Sequence, residues 1–99
     1  MNVVIHPVHF EASAQLVDFI NKKLAKLETF FDRIIEAEVF LKLETNQNVK
    51  DKIVEIKVYV PGKTLFATKT SKTFEESTDL ALRTIAGQLK KQKERIKEL

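Results

Sequence analysis

Two groups of cations are the residues with the most chemistry to offer. Lys22, Lys23 and Lys26 lie within five residues, and Lys90, Lys91, Lys93, Arg95 and Lys97 crowd the last ten. Ammonium and guanidinium groups at that density suit a phosphate backbone or an acidic partner surface. Many solvated helix ends share this composition, and cations in a last turn also complement the helix dipole. The other candidates are weaker. His6 and His9 form an H-x-x-H pair, but those positions on a strand point to opposite faces, and there is no cysteine to complete a site. They read as two ordinary histidines at a strand end. Seven serines and threonines fall between Thr64 and Thr78 without a histidine among them, and no G-x-S-x-G turn is present. Glu75, Glu76 and Asp79 form a carboxylate cluster better explained as the acidic first turns of a helix. No catalytic residue, metal ligand or cofactor motif emerges, and no enzyme is expected.

The elements that must carry these groups are set by apolar spacing. The chain has 99 residues, 43% of them hydrophobic and 31% charged, enough for one small packed core. Its net charge is +3, and the last thirteen residues alone carry that much. No apolar run is long enough for a signal peptide or a membrane span, so a soluble, cytoplasmic protein is expected.

Val3 to His6, continuing past Pro7 to Val8 and Phe10, reads as a strand, with Pro7 favouring a sheet edge or a bend. Ser13 is a candidate N-cap for a helix to about Phe31, with Leu16, Ile20, Leu24, Leu27 and Phe31 as its buried stripe. Lys22 and Lys26 share its opposite face, and Lys23 stands at the border. Ile35, Ala37, Val39, Leu41 and Leu43 alternate with polar residues, as do Val54, Ile56, Val58 and Val60, giving two half-buried strands joined by a loop over 45–51. Pro61-Gly62 turns the chain into a fourth strand around 64–70.

Thr73-Phe74-Glu75-Glu76 reads as a capping box opening a final helix. Phe74, Thr78, Ala81, Leu82, Ile85, Leu89, Gln92 and Ile96 form its apolar stripe. Arg83, Lys90, Lys93 and Lys97 fall on one flank, Lys91 and Arg95 on the other.

The resulting order is β-α-β-β-β-α, an α+β fold in which a four-stranded sheet carries both helices on one face, like a double-stranded-RNA-binding domain. The remaining sheet face should stay wet, with Glu36, Glu38, Glu44 and Glu55 on it. Phe40, Tyr59 and Phe66 fall on that polar face too. RNA-recognition motifs stack bases on such aromatics, but the order βαββαβ and the Gly-Phe signature of that fold are missing. Four glutamates would also repel phosphate, so cross-strand packing among the aromatics is the favoured reading.

The segment Asn21-Lys22-Lys23-Leu24-Ala25-Lys26-Leu27-Glu28-Thr29-Phe30-Phe31-Asp32-Arg33-Ile34 resembles the first-helix signature of the bacterial ribosome hibernation promoting factors and ribosome-associated translation inhibitors. Val39-Phe40-Leu41-Lys42-Leu43-Glu44 continues the likeness, as do Asp79 and the run from Gln88 to Lys97. It extends over essentially the whole chain, as one ribosome-binding domain over 1–99. Two positions depart from it. Glu75 stands where relatives often carry a tyrosine, and Gly87 where a basic residue often precedes Gln-Leu.

The resemblance implies a protein that occupies the messenger and transfer RNA channel of the small ribosomal subunit and silences translation in starvation or stationary phase. It implies basic side chains on ribosomal RNA phosphates and no reaction catalysed. Carried over position by position, the RNA-binding set is Lys23, Lys26, Arg33, Lys42, Lys91, Lys93, Arg95 and Lys97, with Lys22 and Lys90 extending the same faces. The likeness is to the short form, without an added dimerisation domain, and a monomer when free is expected. Neither a membrane nor a small-molecule substrate is implied. A free-standing double-stranded RNA-binding module is the alternative.

Overall fold

The computed structural model describes residues 1–44 and 51–98, with side chains placed through Lys93. Six elements follow in the expected order: β1 (Asn2–Pro7), α1 (Ala14–Phe30), β2 (Glu36–Leu43), β3 (Lys52–Val60), β4 (Lys63–Ser71) and α2 (Phe74–Glu98). The loop expected over 45–51 lies outside the described residues except for Asp51, whose carbonyl accepts from the Glu44 N–H at 2.9 Å.

Local chemistry sets the boundaries. Ser13 Oγ accepts the Leu16 N–H at 3.1 Å, so a free donor of the first turn is satisfied where α1 begins. Phe31 closes the helix, its N–H reaching the Leu27 carbonyl while its backbone swings into the extended region. Pro61 and Gly62 link β3 to β4, with Gly62 at φ +77°, the left-handed conformation a type II turn requires at its second central residue.

At α2, Thr73 Oγ1 accepts the Glu76 N–H at 3.0 Å, as a capping residue should. The expected box is completed differently: the Thr73 N–H donates at 3.4 Å to Ser71 Oγ. Ser71 is buried, donates to the Thr73 carbonyl at 2.8 Å and lies beside Ser77, with 2.8 Å between the two hydroxyls. Ser77 Oγ donates in turn to the Lys52 carbonyl at 2.6 Å, fastening the start of α2 to the start of β3.

The sheet runs β1-β2-β3-β4, with β1 parallel to β2 and the other pairs antiparallel. Pro7 thus sits on an edge strand, where a missing N–H costs no ladder bond. Ala37, Val39, Leu41, Val54, Ile56, Val58, Leu65 and Ala67 are buried on one face, in a single cluster with Leu16, Ile20, Leu24 and Leu27 of α1 and Ala81, Leu82, Ile85 and Leu89 of α2. Both helices therefore cover the same face. Two expectations fail at the margins of this core. Ile35 is 59% and Leu43 45% exposed: Ile35 precedes β2 and Leu43 is its last residue. Phe31 is half-buried against the core, so the stripe of α1 closes at Leu27.

Gly87 is exposed in the middle of α2, has no left-handed backbone, and a Cβ there would touch nothing. Alanine removes the entropic penalty at no steric cost, so Gly87→Ala should raise stability by about 1 kcal/mol. The check is a higher urea midpoint with an unchanged slope.

Candidate RNA-facing surface

The two helices lie side by side and run in the same direction. Lys23 of α1 meets Asp79 of α2, Nζ to carboxylate 3.3 Å, and further along Thr29, Phe30 and Phe31 line one groove with Leu89, Gln92 and Lys93. At 3.6 residues per turn, positions 19, 23, 26 and 30 span about 60° of the surface of α1. The Lys23–Asp79 pair shows that this flank borders α2. On α2, positions 79, 83, 86, 90 and 93 span about 80° in the same way and border α1. Lys26, Lys90, Lys93 and Arg83 are all exposed. A seam with cations on both walls follows from these phases.

The expected residues do not all belong to that seam. Lys22 is exposed but paired along its own helix with Asp18 at 2.9 Å. Lys23 is half-exposed, shared between Asp79 and the face of Phe19, whose ring centre is 5.3 Å from its ammonium. Arg33 and Lys93 line the same groove, just past the end of α1 and beside the second half of α2. Lys91 takes the other flank of α2, beside the β4 edge, where Gln88 Nε2 donates to the Phe66 carbonyl at 3.1 Å. Lys42 stands apart from all of these. Its side chain is on the sheet face away from the helices, bonded to Glu55 at 3.0 Å. The side chains of Arg95 and Lys97 lie outside the described residues.

The structure adds one cation that sequence reasoning left out. Lys63, exposed at the start of β4, lines a depression together with Lys91, Phe66 and Gln88. Only the packing of α2 on β4 brings positions 63 and 91 together, and no local pattern encodes it. The Pro61-Gly62 turn just before Lys63 was the nearest available signal.

The opposite sheet face is organised differently from the expectation. Phe40, Tyr59 and Phe66 do not pack on one another. Phe40 stacks on His6, with centroids 4.7 Å apart, and the Lys57 ammonium lies 5.5 Å from its ring centre. Tyr59 donates to Glu38 at 2.5 Å, and His6 Nε2 lies 3.0 Å from the same carboxylate. Phe66 is 48% exposed. The glutamates are half-buried and partnered: Glu36 with Asn2, Glu38 with Tyr59 and His6, Glu55 with Lys42. His9 is exposed beyond the strand, in the left-handed region at φ 65°. Among the described residues no group of three or more histidines and carboxylates is placed to hold a metal ion. Among the described residues no helix is long and apolar enough to cross a membrane.

The Tyr59 hydroxyl, followed by the charge and hydrogen bond of His6 and the charge of Lys57, holds the Glu38 carboxyl below its ordinary value of 4.5. The same bond pushes Tyr59 above its ordinary range, since the phenol must release a proton that Glu38 holds. A carboxyl lowered in the folded state stabilises fully above its unfolded value and loses that contribution as pH falls through the folded one. Tyr59→Phe should therefore make the loss of stability below pH 4.5 less steep, read as Tm against pH.

A small α+β domain with exposed, unpaired Lys26, Lys90 and Lys93 on its helical side is what the described fold and charge define. The chain belongs to the Sigma 54 modulation protein / S30EA ribosomal protein family, whose model matches residues 3–97. It is 31% identical over 99 residues to a ribosome hibernation promoting factor of Pseudomonas putida, covering 100% of this chain and 93% of that one. A ribosomal subunit interface protein from Coxiella burnetii has the same fold, with a TM-score of 0.84, 26% identity, and 94% and 98% of the two chains covered. The N-terminal domain of Protein Y from Thermus thermophilus superposes with a TM-score of 0.78 at 26% identity, covering 92% and 98%.

Proposed function

We propose that this chain is a ribosome hibernation factor. As a single ribosome-binding domain it enters the messenger and transfer RNA channel of the small subunit and blocks translation in starved or stationary cells. The observation that carries this reading is the seam between α1 and α2, where exposed Lys26, Lys90 and Lys93 stand without an intramolecular carboxylate among the described ion pairs. Cations left unpaired by the fold are available to displace the counterions of an RNA backbone. Relatives named for ribosome hibernation and for the ribosomal subunit interface support reading that polyanion as ribosomal RNA.

The mechanism is occupancy. No bond is made or broken, so inhibition is stoichiometric and one bound protein silences one subunit. Shape and phosphate contacts supply the affinity, as they do for RNA-binding domains that read a backbone and not a base sequence. The Lys22–Asp18 and Lys23–Asp79 pairs are exposed or half-exposed, and such surface pairs are weak enough to exchange carboxylate for phosphate.

Prebinding the protein to small subunits should exclude a messenger and its cognate transfer RNA, one for one, in a filter-binding assay. Simultaneous binding of all three would place the protein elsewhere on the subunit.

A further inference from the structure

Phe30, the last residue of α1, is 64% exposed, although the core lies one residue away. Its neighbour explains why: Phe31 turns inward as the capping residue, Ile34 anchors the next turn of chain in the core, and Phe30 is left facing out. A lone exposed aromatic would mean little. This one lines a groove of about 520 Å³ with the buried Val60, Ile34 and Leu89, and with Arg33 and Lys93 among its other lining residues. Asp32 contributes a single carboxylate, so cations prevail there. Gln92, half-buried, adds an amide able both to donate and to accept. Among the described residues no ring stacks on Phe30.

We infer that this groove seats one unpaired nucleotide of the RNA, its base stacked on Phe30 and its phosphate held by Arg33 and Lys93. The inference rests on the proposed function and adds to it a non-electrostatic contact. An apolar platform beside cations is the combination by which proteins hold single-stranded bases, since every base offers a π-face and every linkage a charge. An acidic peptide would use the two cations and leave Phe30 without a planar partner.

The chain contains no tryptophan, so Phe30→Trp places a single reporter in the groove. Its fluorescence should be quenched by small subunits and by oligoadenylate, and be unmoved by polyglutamate at the same salt. Phe30→Ala should bind small subunits about 5- to 140-fold more weakly with an unchanged Tm, the loss expected for one base–aromatic stack. Phe30→Tyr should restore the affinity. An unquenched tryptophan on a protein that still sediments with subunits, together with wild-type affinity for Phe30→Ala, would overturn the nucleotide seat and leave channel binding standing. Quenching by polyglutamate but not by RNA would overturn it in favour of an acidic peptide. A wild-type protein that never sediments with subunits would refute the ribosome reading itself, and quenching by oligoadenylate would then still report the seat.

Discussion

Affinity for the small subunit is expected to fall by about 10³–10⁵ between 50 and 200 mM salt, the range for six to ten phosphate contacts. Seven described cations on the helical side can make them: Lys22, Lys26, Arg33, Arg83, Lys90, Lys91 and Lys93 are all exposed. Lys23 joins them if Asp79 yields it, at 3.3 Å and half in solvent. Each phosphate neutralised releases condensed counterions, and dilute salt rewards that release with entropy. The net charge of +3 matters less than its placement, since Glu36, Glu38 and Glu55 are bonded on the far sheet face. Titrating labelled protein against small subunits over a salt series gives the slope directly. Affinity flat in salt would remove the phosphate-led mechanism.

Replacing Lys26, Lys90 and Lys93 together by glutamine should lower that salt slope by about three, since each cation lost removes roughly one phosphate contact. Over the same fourfold change in salt this shrinks the effect by roughly 40-fold. The fold should survive, because all three side chains are exposed and outside the core cluster. The informative control is Lys42→Gln. Lys42 is bonded to Glu55 on the face away from the helices, so it should leave the slope almost unchanged if only the helical side meets RNA. An equal effect from Lys42→Gln would mean that both faces of the sheet touch the ribosome. A triple variant with the wild-type slope would mean that the seam is not the contact surface.

Much of this architecture was legible in the sequence because burial leaves a period. The Leu16, Ile20, Leu24, Leu27 spacing gave α1, and the alternation from Ala37 to Leu41 and from Val54 to Val60 gave the two central strands with their inner face. Pro61-Gly62 marked the hairpin through its dihedral needs alone. Periodicity was silent where tertiary contacts decide. Ile35 and Leu43 continue the alternation of β2, yet both are exposed, Ile35 ahead of the strand and Leu43 as its last residue. Strand phase puts the aromatics of the polar face together, and instead each meets a charged, hydrogen-bonding or solvent neighbour: Phe40 with His6 and Lys57, Tyr59 with Glu38, and Phe66 with solvent.

The cationic set shows the same division. Helical phase placed Lys22, Lys26, Lys90 and Lys93 outward, and all four are exposed. Lys42 entered through the family resemblance, whereas its strand phase, shared with Glu36, Glu38 and Phe40, already put it opposite the helices. Lys63 and Phe30 stood in no pattern that reading the chain locally could use. Each acquires its neighbours only when α2 is laid across β4 and against the end of α1.

Whether the protein occupies the small subunit is decided by sedimenting it with ribosomes and separated subunits through sucrose gradients in low and high salt. The protein should travel with small subunits and whole ribosomes in low salt and return to the top of the gradient in high salt. Protein that stays at the top in low salt, or that travels with large subunits alone, would contradict small-subunit occupancy.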